Sequence, residues 1–436
     1  MRLTTAALLA LSLACLWMVG ALDGCVHPDR IGNAPRMTPE AEPSTSGAEP
    51  DRAVILVSID GFRHDYLDRE DARAPTLREI ADAGVRADGM VPVYPSVTLP
   101  NHWSLVTGLH PERHGIVGNQ MRDAEGRAFE GIRKKGDGDP RWWGGEPIWV
   151  RAERQGLRAG TVFWPGSHAT QPSLWRPYDA SASYEARVDT ALAWLELPQE
   201  ARPQFVTLYF EGVDSAGHEY GPDAPQTARA IEEVDRALAR LRAGLRARGL
   251  WRTTDLVIVS DHGMTGLSRQ RLSFLDDAID VEAEAEQILW GEPTHIWPAP
   301  GADVDAMVKR LDAMDHVRAF RREATPAHLH FRDNDRIAPI VVMADLGWST
   351  TTHTRAEADP DFPIAGSHGF DVRERDMHAL FLARGPSFRR GVRVGTVQTV
   401  DVHGILARAL GITPAPNARD TRAADRVLRA EPLAHR

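Results

Sequence analysis

The sequence holds only two cysteines in 436 residues, Cys15 and Cys25, and both lie within the first 25. The rest of the chain therefore has no disulfide framework, and oxidising conditions outside the cytoplasm pose it no pairing problem. An excess of basic charge is also missing. Fifty-one Lys and Arg stand against 61 Asp and Glu, a formal net charge of −10. That balance argues against a general nucleic-acid binder, which needs a basic face. No internal repeat is evident.

What is present is an ordinary globular composition, 42% hydrophobic and 26% charged, on a chain long enough to bury a large core. Length alone allows two or three domains or one large α/β domain. The 17 histidines exceed what chance would supply, which directs attention to metal or acid–base chemistry.

The N-terminus reads "MRLTTAALLALSLACLWMVGALDGC": one arginine, then about twenty mostly apolar residues. This is an export segment rather than part of the fold. Cys25 follows Leu22-Asp23-Gly24, with leucine at −3 and glycine at −1 as in a bacterial lipoprotein cleavage site, although the Asp at −2 is atypical. The expectation is a signal peptide over 1–25, lipidation at Cys25, and a periplasmic or outer-membrane-anchored protein. Residues 26–50, rich in Pro, Glu, Ser and Ala, cannot pack a core and read as a tether.

From residue 51 to about 430, strand-like apolar runs alternate with helical patterns. "AVILVSID" (Ala53–Asp60) is a continuous apolar run of the kind buried on both faces of a parallel sheet. "APTLREIADAG" gives a helix with proline at its start and glycine at its end, and "GVRADGMVPVYP" reads as a second strand. "FVTLYFEGVD", "TTDLVIVSDHG" and "MHALFLARGP" are further apolar strands running into polar loops. "APQTARAIEEVDRALARLRAGLRARG" is a long amphipathic helix closed by glycine. The alternation predicts an α/β protein with a doubly wound, mostly parallel sheet flanked by helices. The stretch from about 269 to 354 reads as a small, more irregular α+β insert.

Three of the apolar strands run into acidic residues. Asp60 follows the first, Asp214 follows the second with His218 four residues on, and Asp261 and His262 follow the third. Ligands of open α/β sheets bind outside the carboxyl ends of the strands, so parallel strands would gather all five side chains on one edge. His368, in the glycine-flanked loop "IAGSHGF", could reach the same edge. A single Asp after a strand is usually a turn former, and a single surface His is usually solvated. Three of each at equivalent topological points suit zinc, and six ligands divide into two ions. Paired ions are the usual device for in-line displacement at phosphorus.

Such a site working through a covalent intermediate needs a hydroxyl near a helix N-terminus. "PVYPSVTLPNHWSLVTG" supplies one, with Pro100 placed to start a helix, and spacing alone does not choose between Ser96 and Thr98.

"YPSVTLPNHWSLVTGLHPERHGIVGN", "WWGGEPIWVRAERQGLRAGTVFWPGS", "GVDSAGHEYGP", "VSDHGM" and "GSHGF" together resemble the nucleotide pyrophosphatase/phosphodiesterase family of the alkaline phosphatase superfamily, in a bacterial member. The resemblance runs from about Asp51 to Pro386. It implies an alkaline phosphatase-like fold and a two-zinc phosphodiesterase with Thr98 as nucleophile. It further implies that Asp60, Thr98, Asp261 and His262 hold one zinc and that Asp214, His218 and His368 hold the other. Asn119 matches the asparagine that hydrogen-bonds a phosphoryl oxygen, and Tyr178 the aromatic that stacks on a nucleotide base. Nucleotide-selective members often carry Phe directly after the nucleophile; Leu99 stands there and loses a stack of roughly 0.5–1.5 kcal/mol.

The expected activity is hydrolysis of phosphodiester or pyrophosphate bonds of nucleotides through a phospho-threonine. A phospholipid or phosphocholine diesterase, or a phosphomonoesterase, would use the same ligands. A catalytically dead scaffold would have lost a ligand or the nucleophile, and none is missing. His114 is read as structural, His102 as packing or capping, and His403 as a partly buried surface residue. Trp142, Trp143 and Trp149 are read as wall and core, and Arg133-Lys134-Lys135 as a solvated loop that could steer anions.

Overall fold

In the computed structural model, residues 52–131, 138–416 and 422–430 are described. The export segment, the tether and the Arg133-Lys134-Lys135 cluster lie outside these residues. No described helix is long and apolar enough to cross a membrane.

The first strand, β1 (Ala53–Ile59), is buried along its whole length, as its nearly continuous apolar run requires. It is followed by α1 (Pro75–Ala83), β2 (Val85–Ala87) and α2 (Thr98–Thr107). Then come two strands at the other end of the sheet and a helix: β3 (Ala159–Val162), β4 (Leu174–Arg176) and α3 (Tyr184–Trp194). The central strand β5 (Phe205–Phe210) leads into α4 (Gly212–Tyr220) and the long α5 (Pro225–Ala247). After β6 (Thr254–Val259) the chain leaves the sheet for the insert. That segment contains β7 (Ala285–Leu289), β8 (Thr294–Pro298), α6 (Val304–Asp312), β9 (Val317–Arg321) and β10 (Ile340–Ala344). The chain returns through β11 (Phe381–Arg384), β12 (Val392–Val394) and α7 (Val402–Leu410).

The main sheet has the order β12-β2-β11-β6-β1-β5-β3-β4. Only the pairings of β11 with β2 and β6 are antiparallel, so the sheet is mostly parallel with helices packed against it. β1 runs parallel to both β5 and β6, with Ile59 opposite Phe210 and Ser58 opposite Val259. That register brings the carboxyl ends of all three strands to one edge.

One apolar cluster covers each face of the sheet. The first collects Val54, Leu56, Trp103, Trp149 and α7; the second collects Ile55, Val57, α1, α3 and α5. Alternate residues of β1 serve opposite clusters, so all but Ser58, which bonds His102, are apolar, and each fully buried Val, Leu or Ile contributes about 1.5–3 kcal/mol. The insert forms a four-stranded antiparallel sheet, β7-β8-β10-β9, with its own cluster around Ile296, Met307, Leu311 and Ile340.

Three expectations need correction. "GVRADGMVPVYP" is not one strand: Val85–Ala87 and Met90–Val91 join different sheets, because the chain turns away at Asp88-Gly89. Asp214 does not follow its strand in a loop but lies in α4, one helical turn before His218. His403 is not a surface residue. It is 0% exposed, donates from Nδ1 to the Val106 carbonyl at 2.8 Å and accepts the Ala415 N–H at Nε2.

Candidate active site

Asp60 leaves β1, Asp261 and His262 leave β6, and Asp214 and His218 leave β5 through α4. These residues and His368 form two sets, Asp60–Asp261–His262 and Asp214–His218–His368, within each of which the candidate ligand atoms lie within 4.8 Å of one another. His262 Nε2 is 3.0 Å from Asp261 Oδ2 and 3.5 Å from Asp60 Oδ1. In the second set Asp214 Oδ1 is 3.4 Å from His218 Nε2 and 3.5 Å from His368 Nε2. A tetrahedral zinc ion with donors about 2.0–2.1 Å away separates those donors by about 3.3 Å, so both sets are spaced for one.

The hydrogen bonds around the rings fix which nitrogen faces inward. His218 Nδ1 donates to the Gly366 carbonyl at 2.8 Å, His368 Nδ1 to Ser96 at 2.9 Å, and His262 Nδ1 to Gly263 at 2.9 Å. Each Nδ1 thus carries the proton, and each Nε2 presents a lone pair, the tautomer that a metal-binding histidine needs. Asp60 Oδ1, Asp214 Oδ1, Asp261 Oδ2 and His262 Nε2 are buried without a hydrogen-bond partner. Four orphaned acceptors in one buried place are costly unless a cation fills the space.

The electrostatics agree. Burial, with the charges of Asp261 and Asp214, pushes the Asp60 carboxyl well above its ordinary value. Burial also raises Asp214, against the pull of His218 and His262. Burial opposes ionisation of Asp261, but His262 and His102 outweigh it and hold that carboxyl down. Three carboxylates this close cannot all ionise in a buried site without added positive charge.

The surrounding residues hold this arrangement. The Tyr209 hydroxyl donates to Asp60 Oδ2 at 2.5 Å, and the Gly61 N–H donates to Asp261 Oδ1 at 3.1 Å. Gly61, at φ +66°, has to be glycine: a Cβ there would sit 2.7 Å from the Asp214 Cα. His102 caps and packs. Its Nδ1 donates to the Thr98 carbonyl at 2.9 Å, 3.4 Å from Asp261 Oδ2, and its Nε2 accepts from Ser58 at 2.9 Å. His114 is structural, bonded to Ser104 Oγ and the Ile116 N–H.

The two candidate hydroxyls part company. Ser96 is 0% exposed, and its Oγ donates to the Phe370 carbonyl and accepts the Gly369 N–H, both at 3.0 Å. It ties the turn before α2 to the loop that carries His368. Thr98 is the first residue of α2 and lines a cleft of about 380 Å³ together with Asp60 and Asp214. The far wall of that cleft is Phe163, Trp164, Trp175 and Tyr178. Leu99 is not in the wall: it is 2% exposed and packs into the core. Trp142, Trp143 and Trp149 are likewise buried, with Trp103 4.9 Å from Trp143 and 5.9 Å from Trp149.

The start of α2 supplies fewer backbone donors than a free helix end. The Leu99 N–H is taken by Asn119 Oδ1 at 2.9 Å, Pro100 has none, and the Asn101 N–H closes on the Val97 carbonyl. With its oxygen occupied, Asn119 presents its NH2 group as the donor. Asn101 clamps the turn before Thr98, bonding the carbonyls of Val93, Pro95 and Val97 and the N–H of Val93.

Sequence reasoning missed Asn101, Tyr209, Phe163, Trp164 and Trp175. The signal for Tyr209 was a hydroxyl inside an apolar strand, which needs a partner when buried. A second cleft, of about 320 Å³, adjoins His218 and His368 and takes in Asn119 and the insert residues Trp290, Glu292 and His295. Burial raises the Glu292 carboxyl to about 8 and lowers His295 to about 4.

Known proteins share this architecture. Murine ectonucleotide pyrophosphatase/phosphodiesterase 5 superposes with a TM-score of 0.80 at 32% identity, over 87% of this chain and all of that one. An inactive threonine-to-alanine variant of the same murine protein in complex with AMP gives 0.79 at 32% identity, over 86% of this chain and all of that one. Human ectonucleotide pyrophosphatase/phosphodiesterase family member 1 is 34% identical over 83% of this chain, and venom phosphodiesterase of Naja atra 35% over 84%. The matches span 40% and 45% of those two relatives, so the chain corresponds to less than half of each. Residues 54–371 match the family model for type I phosphodiesterase / nucleotide pyrophosphatase. On that match and these relatives, the chain belongs to the type I phosphodiesterase/nucleotide pyrophosphatase family, with the alkaline phosphatase-like α/β fold.

Proposed function

We propose that this protein is an exported, two-zinc phosphodiesterase acting on nucleotides, with Thr98 as its nucleophile. The observation that carries the reading is the pair of ligand sets with three inward-facing Nε2 atoms, beside a cleft that Thr98 enters. Asp60, Asp261, His262 and Thr98 would hold one ion, and Asp214, His218 and His368 the other. When bound, zinc would supply the positive charge that acidifies the Thr98 hydroxyl and neutralises the phosphoryl oxygens.

The chain does the rest. Thr98 Oγ attacks phosphorus in line, forming a phospho-threonine and releasing the leaving oxygen, and water then hydrolyses that ester. The Asn119 amide donates to a non-bridging oxygen, a task left to it because α2 has spent most of its own donors. The nucleoside lies in the aromatic cleft against Tyr178, whose ring is 5.6 Å from that of Phe163. The AMP complex of the murine relative supports the nucleotide preference, and its inactivation by a threonine-to-alanine change supports Thr98. Export, a tether over 26–50 and lipidation at Cys25 are supported by the N-terminal sequence.

The test is one assay on the full chain, with and without chelator. It compares a nitrophenyl nucleotide diester, nitrophenyl phosphocholine and nitrophenyl phosphate. Chelator-sensitive preference for the nucleotide diester is expected. Preference for phosphocholine or the monoester would overturn the substrate. Thr98→Ala should leave zinc binding largely intact through the remaining ligands and lose turnover by at least about a thousandfold, and near-normal turnover would remove Thr98 from its role.

A further inference from the structure

Asn119, His218 and His368 serve the chemistry proposed above, yet the second cleft, which they help to line, has no occupant assigned to it there. It is lined by Val97, Asn119, His218 and His368 on the catalytic side and by Trp290 and Glu292 from the turn between β7 and β8 of the insert. It shares no lining residue with the aromatic cleft. The two flank the same centre: Asp60, Thr98 and Asp214 open into the first, His218 and His368 into the second. In-line displacement sends the leaving group away from the attacking oxygen. With the nucleoside held in the first cleft beside Thr98, the group that departs has the second cleft to enter.

We infer that this second cleft is the leaving-group subsite and that Trp290 and Glu292 select an alcohol, such as a second nucleoside, over pyrophosphate. The inference rests on the phosphodiesterase reading and deepens it. Trp290 is held in place, with the Arg355 guanidinium 4.7 Å from its ring centroid where both line a neighbouring cleft, and it also reaches the second cleft. A flat base stacks on such a ring, and a pyrophosphate has no face to stack. A pyrophosphate leaving group would also bring several negative charges into the cleft. Among the described residues no Lys or Arg lines it, burial keeps His295 neutral, and Glu292, whose carboxyl meets Ser349, supplies no positive charge. A nucleoside leaving group brings no such charge, and the acid at Glu292 does not repel it.

The backbone makes the subsite inseparable from the metal-binding loop. The Glu292 carbonyl lies against Gly369, next to His368, where a Cβ would come within 1.9 Å of it. Trp290 and Glu292 are therefore carried by a turn seated directly on the catalytic loop.

The experiment uses three esters that all release AMP from the zinc-loaded full chain: adenosine 5′-methyl phosphate, a dinucleoside monophosphate and ATP. For the unmodified protein, kcat/KM for the dinucleoside should exceed that for ATP by about tenfold or more. Trp290→Ala should lower kcat/KM for the dinucleoside about tenfold, as loss of a base stack does, and change the methyl ester less than about twofold. Glu292→Lys should raise the ratio of ATP to dinucleoside hydrolysis by about tenfold. Equal losses on methyl ester and dinucleoside in Trp290→Ala would assign it a merely structural role and overturn the inference. So would an unchanged ratio in Glu292→Lys, or a preference for ATP in the unmodified protein. Release of AMP from none of the three esters would instead overturn the phosphodiesterase reading, and the inference with it.

Discussion

The Nε2 atoms of His218 and His368 face each other at 3.1 Å, and each ring has its Nδ1 proton committed to a main-chain carbonyl. Two lone pairs this close repel unless they share a cation. Removing the metal should therefore loosen the fold as well as stop catalysis. Chelation should lower the melting temperature by about 5 °C or more, and zinc should restore it. An identical melting curve with and without chelator would contradict a metal-filled site.

Ser96 acts at a distance from the chemistry. Its carbonyl orients His368 and its hydroxyl holds the two residues that follow. Ser96→Ala leaves the Gly369 N–H and the Phe370 carbonyl short of a partner, at about 1–3 kcal/mol. Zinc affinity should fall about 10–100-fold, as it does when residues supporting a ligand are lost. A chelator-competition titration measures this, and Ser96→Thr should recover part of it. Unchanged affinity would show that His368 is held by other means.

The Tyr209 hydroxyl holds Asp60 Oδ2, the carboxylate oxygen whose partner Oδ1 belongs to the ligand set. Tyr209→Phe keeps the packing and removes only that bond. Zinc affinity should drop by about 10–100-fold with little change in the urea midpoint. A large stability loss with normal zinc binding would assign Tyr209 to the core instead.

Burial, with a smaller contribution from His110, lowers His114 from 6.5 to about 3. Its folded value is below its unfolded one, so the unfolded chain takes up the proton first. The stability it contributes is complete above pH 6.5 and is lost as pH falls toward 3, with a slope approaching about 1.4 kcal/mol per pH unit. His114→Gln should be less stable than the unmodified protein at pH 7, with the gap narrowing by pH 5. Urea midpoints at both values read this, and a gap of constant size would show that His114 is not buried neutral.

Much of this was legible in the sequence because the strands that carry the ligands are buried on both faces. Ala53–Ile59, Phe205–Phe210 and Thr254–Val259 have to be mostly apolar on both faces, and a carboxylate shortly after each one stands out. What sequence could not resolve depends on partners far along the chain. Ser96 and Thr98 are alike until Ser96 is seen to bond Phe370, 274 residues away. His403 reads as a partly buried surface residue because its partners, Val106 and Ala415, come from other segments. Leu99 matched a motif position, but the packing of α2 turns it into the core and leaves the cleft wall to Phe163, Trp164 and Trp175.

Gly369, at φ +105° under the Glu292 carbonyl, sets a rule for redesign. The insert resembles a cassette, with its own sheet and core, that could be exchanged for another to change what the enzyme accepts. Its edge, however, rests on the backbone beside a metal ligand with no room for a single methyl group. A donor segment would graft cleanly only if its turn reproduced that carbonyl position; otherwise, altering the substrate range would also disturb the zinc geometry.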